Sequence, residues 1–219
     1  PKLRPPPTET STRVESCEHA YAELCCTTNY SFLRGASHPD ELIFRAAELG
    51  YRALAVTDFN TLAGVVRAHE AAKQCGMKLI VGARLTLVDC DDLLLWPTDR
   101  AAYGRLCRLL TLGKRRVQKG ECALDLNDVI VHSAGMHAAL LPLPCRDTRG
   151  DETDHERLGR FTNSPPRYDP DIPRPLLSLT HDFHEAEQAL HSLRRAMGDR
   201  VSLAVARPFG PDDQSHLLH

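Results

Sequence analysis

The sequence predicts an α/β fold built on parallel strands with right-handed crossovers, and three observations carry that expectation. Short apolar, β-branched runs alternate with helix-period segments in the order strand, helix, strand, helix, strand from Tyr21 to Val88. The connections between them are short, and glycines stand where the helices should stop, at Gly50 and Gly76. The chain has 219 residues, 42% of them hydrophobic, which is enough for one domain with a real core and tails.

Taken in order, residues 1–20 are rich in Pro, Thr, Ser and Glu without apolar periodicity and read as a flexible arm. Tyr21 to Thr28 reads as a strand. Ser37 is expected to open a helix, with Pro39 in its first turn and Asp40 in a capping-box pattern. Ala53 to Thr57 is a compact apolar run and so a buried strand. Ala63 to Cys75 reads as the second helix and Lys78 to Val88 as the third strand. A polar turn at Asp89 to Asp92 before Leu93 to Trp96 predicts a hairpin. Thr98 is expected to cap the next helix, Leu106, Leu109 and Leu110 to form its apolar face, and Gly113 to close it. Leu126 to Val131 reads as a brief helix and Met136 to Leu143 as a strand.

Composition shifts after Pro144. Residues 144–176 are rich in Arg, Asp, Pro and Thr and poor in aliphatics, which predicts a disordered or inserted loop. Residues 177–219 are expected to resume the fold, with a helix from Asp182 to Met197, a strand from Val201 to Ala206 and a further helix beginning at Pro211. The organisation expected is thus an arm (1–20), a main α/β region (21–143), an insertion (144–176) and a truncated continuation (177–219).

The formal charge of -2 argues against free-standing nucleic-acid binding without excluding one basic patch. No apolar run approaches the roughly 20 residues that span a bilayer. The Pro1–Pro7 segment has no apolar stretch behind its charges, so a cytoplasmic location without membrane partners is expected. None of the eight cysteines forms a C-x-x-C pair, so they read as buried small hydrophobes and free thiols.

Several longer stretches carry more information. Tyr21-Ala-Glu-Leu-Cys-Cys-Thr-Thr-Asn-Tyr-Ser-Phe-Leu-Arg-Gly-Ala-Ser-His-Pro-Asp-Glu-Leu42 comes first, followed by Ala53-Leu-Ala-Val-Thr-Asp-Phe59 and Leu62-Ala-Gly-Val-Val-Arg-Ala-His69. Leu79-Ile-Val-Gly-Ala83 and Tyr103-Gly-Arg-Leu-Cys-Arg-Leu-Leu-Thr-Leu-Gly113 continue in register. Together they resemble the N-terminal polymerase-and-histidinol-phosphatase (PHP) region of bacterial DNA polymerase III alpha-type enzymes, in the error-prone, translesion branch. The resemblance implies a distorted (β/α)7 barrel, incomplete at the C-terminus. It implies a parent enzyme that extends primers across damaged template with dNTPs and Mg2+. The partners it implies are the remainder of the polymerase, DNA through that polymerase, a translesion accessory protein and the sliding clamp.

Active PHP proteins carry His, Asp and Glu ligands for two or three metal ions at the C-terminal ends of the strands. This sequence departs from that pattern. The first strand's His-x-His positions are Cys25 and Thr27. Asp58 is kept, but the His expected after it is Phe59, and the carboxylate expected on the third strand is Arg84. The expectation is a degenerate site in which Asp58 pairs with Arg84, because a guanidinium adds positive charge where a cation would sit. No catalytic residue and no cofactor are expected for this chain.

Other residues have two readings. His38 reads as a surface or capping residue. His184, Glu187 and His191 share a helical face that could hold zinc or could simply be solvated. Lys114, Arg115, Arg116 and Lys119 could touch phosphates or be a solvated helix end. The expected role is a structural PHP region in damage-tolerant DNA synthesis. The rivals are a PHP-class metal-dependent phosphoesterase or 3'-5' exonuclease, and a decayed, non-catalytic scaffold.

Overall fold

The computed structural model describes residues 20–141 and 183–204. The expectations for the N-terminal arm through residue 19, the 144–176 insertion, the helix at Pro211, and Cys17 and Cys145 lie outside the described residues.

The strand–helix alternation read from the sequence forms β1 (Ala22–Cys26), α1 (Pro39–Glu48), β2 (Ala53–Val56), α2 (Val65–Cys75) and β3 (Lys78–Val81). The three strands make one sheet in the order β1-β2-β3, all parallel. Gly50 and Gly76 follow their helices in the left-handed region, at φ 73° and 71°. α1 and α2 cover the outer face of this sheet, where Ile43, Ala46, Leu54, Val56, Ala68, Ala71 and Ala72 form a core cluster. Small alanines on α2 let it lie close to α1 and the sheet. The helix α1 begins one residue later than expected. His38, not Ser37, is its N-cap, and the His38 N–H donates to the Glu41 carboxylate at 2.9 Å.

The third predicted strand is two strands in two sheets. β3 stops at Val81, and β4 (Ala83–Leu85) starts a second sheet of order β4-β5-β6-β7. The break falls at Gly82, where an added Cβ would stand 2.6 Å from Trp96 Cδ1 and 2.9 Å from both the Leu95 carbonyl and Thr57 Cγ2. Only a residue without a side chain lets the chain pass between sheets there. β5 (Asp92–Pro97) returns antiparallel to β4, giving the expected hairpin, and β6 (Met136–Leu141) is antiparallel to β5. β7 (Val201–Leu203) restores parallel pairing with β6. The parallel pairing expected of the strand–helix alternation thus holds in the first sheet, where its three-strand run is cut at Gly82, and the expected hairpin opens the second.

The helices α3 (Arg100–Arg115), α4 (Leu126–His132) and α5 (Phe183–Met197) pack on one face of the second sheet. Leu85, Leu93, Leu95, Leu106, Leu109, Leu124, Met136, Leu140 and Leu193 are fully buried there. Each such side chain contributes roughly 1.5–3 kcal/mol of transfer free energy. Asp99, not Thr98, caps α3, accepting from the Ala102 N–H at 2.7 Å. α3 also runs through Gly113 rather than ending there. That glycine is buried, and a Cβ on it would meet Cys122 Sγ and Leu124 Cγ at 2.6 Å, so it serves helix–loop packing. The opposite face of the second sheet, with Leu94, Ala139 and Leu141, meets Cys25 of β1 and Trp96. The Trp96 indole N–H donates to the Leu24 carbonyl at 3.2 Å, tying the two sheets together. No helix among the described residues is long and apolar enough to cross a membrane.

Candidate functional site at the Asp58 rim

The C-terminal end of β2 delivers Thr57 and Asp58, both buried, to the rim where the first sheet meets the second. Asp58 is 1% exposed and accepts three hydrogen bonds from one loop. Oδ1 accepts from the Thr28 N–H (2.8 Å) and the Ser31 hydroxyl (2.7 Å), and Oδ2 from the Thr28 hydroxyl (2.8 Å). The same hydroxyls also accept. Ser31 Oγ takes the Phe59 N–H at 3.0 Å, and Thr28 Oγ1 takes the Tyr30 N–H at 3.1 Å. Gly64, before α2, lets Asp58 sit this deep, since a Cβ there would be 2.8 Å from Oδ2. A buried carboxylate must be bonded to persist, and here neutral donors do it.

The ion pair expected between Asp58 and Arg84 is not formed. The Arg84 Nε donates instead to Asp92 Oδ2 at 2.7 Å, and Asp92 is buried. The register explains this. Arg84 lies opposite Leu94, so Asp92 is its diagonal neighbour across the β4–β5 hairpin, on the same face. Asp58 and Arg84 meet only through main chain, the Arg84 N–H donating to the Asp58 carbonyl at 3.1 Å. Phe59 forms a bridge with Arg84, and its ring carries two guanidinium groups, Arg34 at 3.9 Å and Arg84 at 4.5 Å from the centroid.

Cys25, one residue before the end of β1, is half-buried. Burial pushes its thiol up, opposed by a hydrogen bond from Thr57 and the charge of Arg84. Cys26 is pushed up to about 11, first by burial and then by Glu23. Both are therefore thiols rather than thiolates at neutral pH, and the thiolate is the form that binds metal. Thr27 follows β1 and is half-buried.

The residues expected at the PHP metal positions thus offer a carboxylate already accepting three hydrogen bonds (Asp58), a protonated thiol (Cys25), a hydroxyl (Thr27), a phenyl ring (Phe59) and a guanidinium (Arg84). That donor set does not fit a divalent cation, which needs several anionic or imidazole donors converging on one point. Among the described residues no group of three or more His, Cys, Asp and Glu is placed to hold a metal ion.

The loop that clamps Asp58 shapes the rim. Tyr30 is exposed, Phe32 is 74% exposed and Leu33 is 62% exposed, with Leu33 in the left-handed region at φ 60°. A non-glycine residue held there marks a constrained loop. His38 ties the loop to α1, its Nδ1 lying 2.8 Å from Asn29 Nδ2, so it acts as a capping and tethering residue. The roles of Thr28, Ser31 and Asp92 were not read from the sequence. A run of hydroxyl residues directly after β1 and before a buried strand-end Asp is the signal that could have pointed to the first two.

Away from the rim, the basic tract divides. Arg116 turns to Asp128 in a two-pronged ion pair, Nη2 donating to Oδ1 at 2.8 Å and Nη1 to Oδ2. The Arg116 hydrogen bond holds the Asp128 carboxyl below the usual carboxylate range. Lys114, Arg115 and Lys119 stay exposed. On α5, Glu187 and His191 are exposed and 3.9 Å apart, and the side chain of His184 lies outside the described residues.

Residues 23–207 match the family model described as "PHP domain", and the chain belongs to that family. Particular relatives narrow the branch. A 138-residue stretch is 48% identical to the error-prone DNA polymerase of Rhodopirellula baltica, covering 63% of this chain and 12% of that protein. Error-prone DNA polymerase 2 of Agrobacterium fabrum is 54% identical over 123 residues, 56% of this chain and 11% of its own length. The error-prone DNA polymerase of Ruegeria pomeroyi is 43% identical over 195 residues, 68% of this chain and 17% of its own. The chain therefore spans only a small fraction of the curated relatives it matches. A solved structure from Bifidobacterium adolescentis, described as a metal-dependent phosphoesterase, superposes with a TM-score of 0.55 at 17% identity, covering 91% of this chain and 82% of that one. That likeness agrees with a distorted, barrel-like PHP fold, and the fold is all it carries.

Proposed function

We propose that this region is a non-catalytic PHP module of an error-prone-type DNA polymerase, in which a hydrogen-bonded clamp stands in place of the metal site. The observation that carries the reading is Asp58 accepting from Thr28 and Ser31 while Arg84 pairs with Asp92 over Phe59. A carboxylate used this way stiffens the rim loop instead of activating water. The stiffened loop holds Phe32 and Leu33 outward, and an exposed apolar tip on a constrained loop suits a contact with the remainder of the polymerase. Primer extension past damaged template, with Mg2+ held in the parent enzyme, would then lie outside this chain. A translesion accessory protein, the sliding clamp and a cytoplasmic location belong to the same reading.

The test is metal analysis of the purified full chain after incubation with Mn2+ or Zn2+, with a phosphodiester cleavage assay on labelled DNA. The expected result is metal far below stoichiometry and no turnover. Stoichiometric metal together with turnover would replace this reading with a PHP-class phosphoesterase or exonuclease.

A further inference from the structure

The helix α3 carries a charge pattern that the rim does not use. Its sixteen residues, Arg100–Arg115, include Arg100, Arg105, Arg108, Lys114 and Arg115 and no Asp or Glu. At about 100° per residue, Arg100, Arg108 and Arg115 fall within roughly 80° of one another, with Lys114 flanking them. This is the face opposite the buried Ala102, Leu106, Leu109, Leu110 and Gly113. Arg100, Arg108, Lys114 and Arg115 are all exposed, as is Lys119 beyond the helix.

The nearby charges do not neutralise this stripe. Asp99 is occupied capping the helix, and Asp128 is taken by Arg116. Arg105 turns away, its Nε donating to the Ala134 carbonyl at 2.7 Å. Arg108 bonds the Gly104 carbonyl of its own helix at 3.3 Å, a neutral acceptor. No salt bridge among the described residues engages Arg100, Arg108, Lys114, Arg115 or Lys119. In a chain whose formal charge is -2, this is a local concentration of cations without an ion-pair partner among the described residues.

We propose that the exposed face of α3 binds the phosphate backbone of DNA, an inference that rests on the polymerase reading above. Charge complementarity and spacing argue for it. The steps from Arg100 to Arg108 and from Arg108 to Arg115 are about 12 and 10 Å along the helix axis, each near three base pairs of duplex at 3.4 Å rise. Three of the four exposed cations of the helix are Arg, whose planar fork fits phosphate oxygens. Tyr103, 38% exposed on the same flank, adds a ring on which a base of a single strand can stack.

The test uses the full chain and a fluorescein-labelled 24-nucleotide single strand or its duplex. Anisotropy is followed from 20 to 200 mM NaCl with EDTA present, so that metal-dependent cleavage plays no part. Three phosphate contacts predict a slope of log K against log salt near -2.7 on duplex and near -2 on single strand, and the larger affinity says which form is preferred. Arg100→Gln/Arg108→Gln/Arg115→Gln should bring the slope close to zero and weaken low-salt binding at least tenfold. The corresponding triple Lys variant should keep most of the slope. Arg52→Gln/Lys73→Gln, on the other layer, should change neither. If the triple Gln chain does not fold, Arg108→Gln alone should reduce the slope by about 0.9 on duplex. No binding by the wild-type chain, an unchanged slope in the Gln variants, or an equal loss in the Arg52/Lys73 control would overturn the proposal. The metal assay above reads the polymerase-module assignment separately, so the two can fail independently.

Discussion

Asp58 and Asp128 are both buried carboxylates that order a local turn, yet their charges are handled differently. Asp128 sits at the α3–α4 junction, where it accepts from the Asp125 N–H and from both prongs of the Arg116 guanidinium. Asp58 sits at the rim and accepts only neutral donors, an amide and two hydroxyls. The guanidinium nearest in the sequence pattern, Arg84, goes to Asp92. The comparison shows that a buried carboxylate can be satisfied with or without a cation beside it. An amide and two hydroxyls from one loop suffice at Asp58, and they tie that loop to the end of β2.

The largest effect that could break this contrast is expected at the clamp. Asp58→Ala would leave the Thr28 N–H and the Thr28 and Ser31 hydroxyls buried without their acceptor, at a cost of about 3 kcal/mol or more. Urea unfolding of the metal-free chain reads it. The sign is informative, because a carboxylate kept for metal would be neutral or unfavourable in the metal-free state. An Asp58→Ala chain as stable as wild type in EDTA would refute the clamp.

Asp128→Asn is expected to cost less, about 1–2 kcal/mol at neutral pH, since one prong of the Arg116 pair loses its acceptor and the other its charge while the side chain still fills its place. Its pH dependence sharpens the comparison. The folded carboxyl lies below its unfolded value, near ~3.9, so its stabilisation is complete above that value. The stabilisation is lost as pH falls through the lower folded value. The gap between wild type and Asp128→Asn should therefore close at low pH. A gap that stayed constant across acid titration would show that Arg116 contributes nothing through that charge.

The smallest effect is expected at Leu33. Its left-handed conformation is tolerated better by Asn, so Leu33→Asn should leave stability within about 0.5 kcal/mol of wild type or raise it slightly. A loss of 2 kcal/mol would mean that Leu33 packs in the isolated chain and is not held outward for a partner.

Much of the scaffold was legible because it rests on local pattern. The runs Ala53–Val56 and Leu93–Trp96 are strands, and the polar residues between Asp89 and Asp92 turn the hairpin. Where a residue had two possible jobs, the sequence did not choose between them. Gly82, inside an apolar run, breaks a strand because Trp96 approaches from the other sheet, while Gly113 leaves its helix intact because Cys122 and Leu124 pack on it. Thr98 and Asp99 are both good caps, and Asp99 reaches the Ala102 amide. At the rim, Cys25, Asp58, Phe59 and Arg84 could be singled out from the sequence, but their partners could not. Arg84 chose Asp92 through a diagonal contact that only strand register fixes, and Thr28 and Ser31 reached Asp58 across about thirty residues of chain.

The most direct test of the central claim compares the unfolding free energy of the wild-type full chain in EDTA with that in 1 mM Mn2+. A rim whose carboxylate is committed to hydroxyls predicts superimposable denaturation curves. A cation binding the folded rim with a dissociation constant near 10 μM would raise stability by about 2.7 kcal/mol, and a shift of that size abolished by Asp58→Asn would contradict the account.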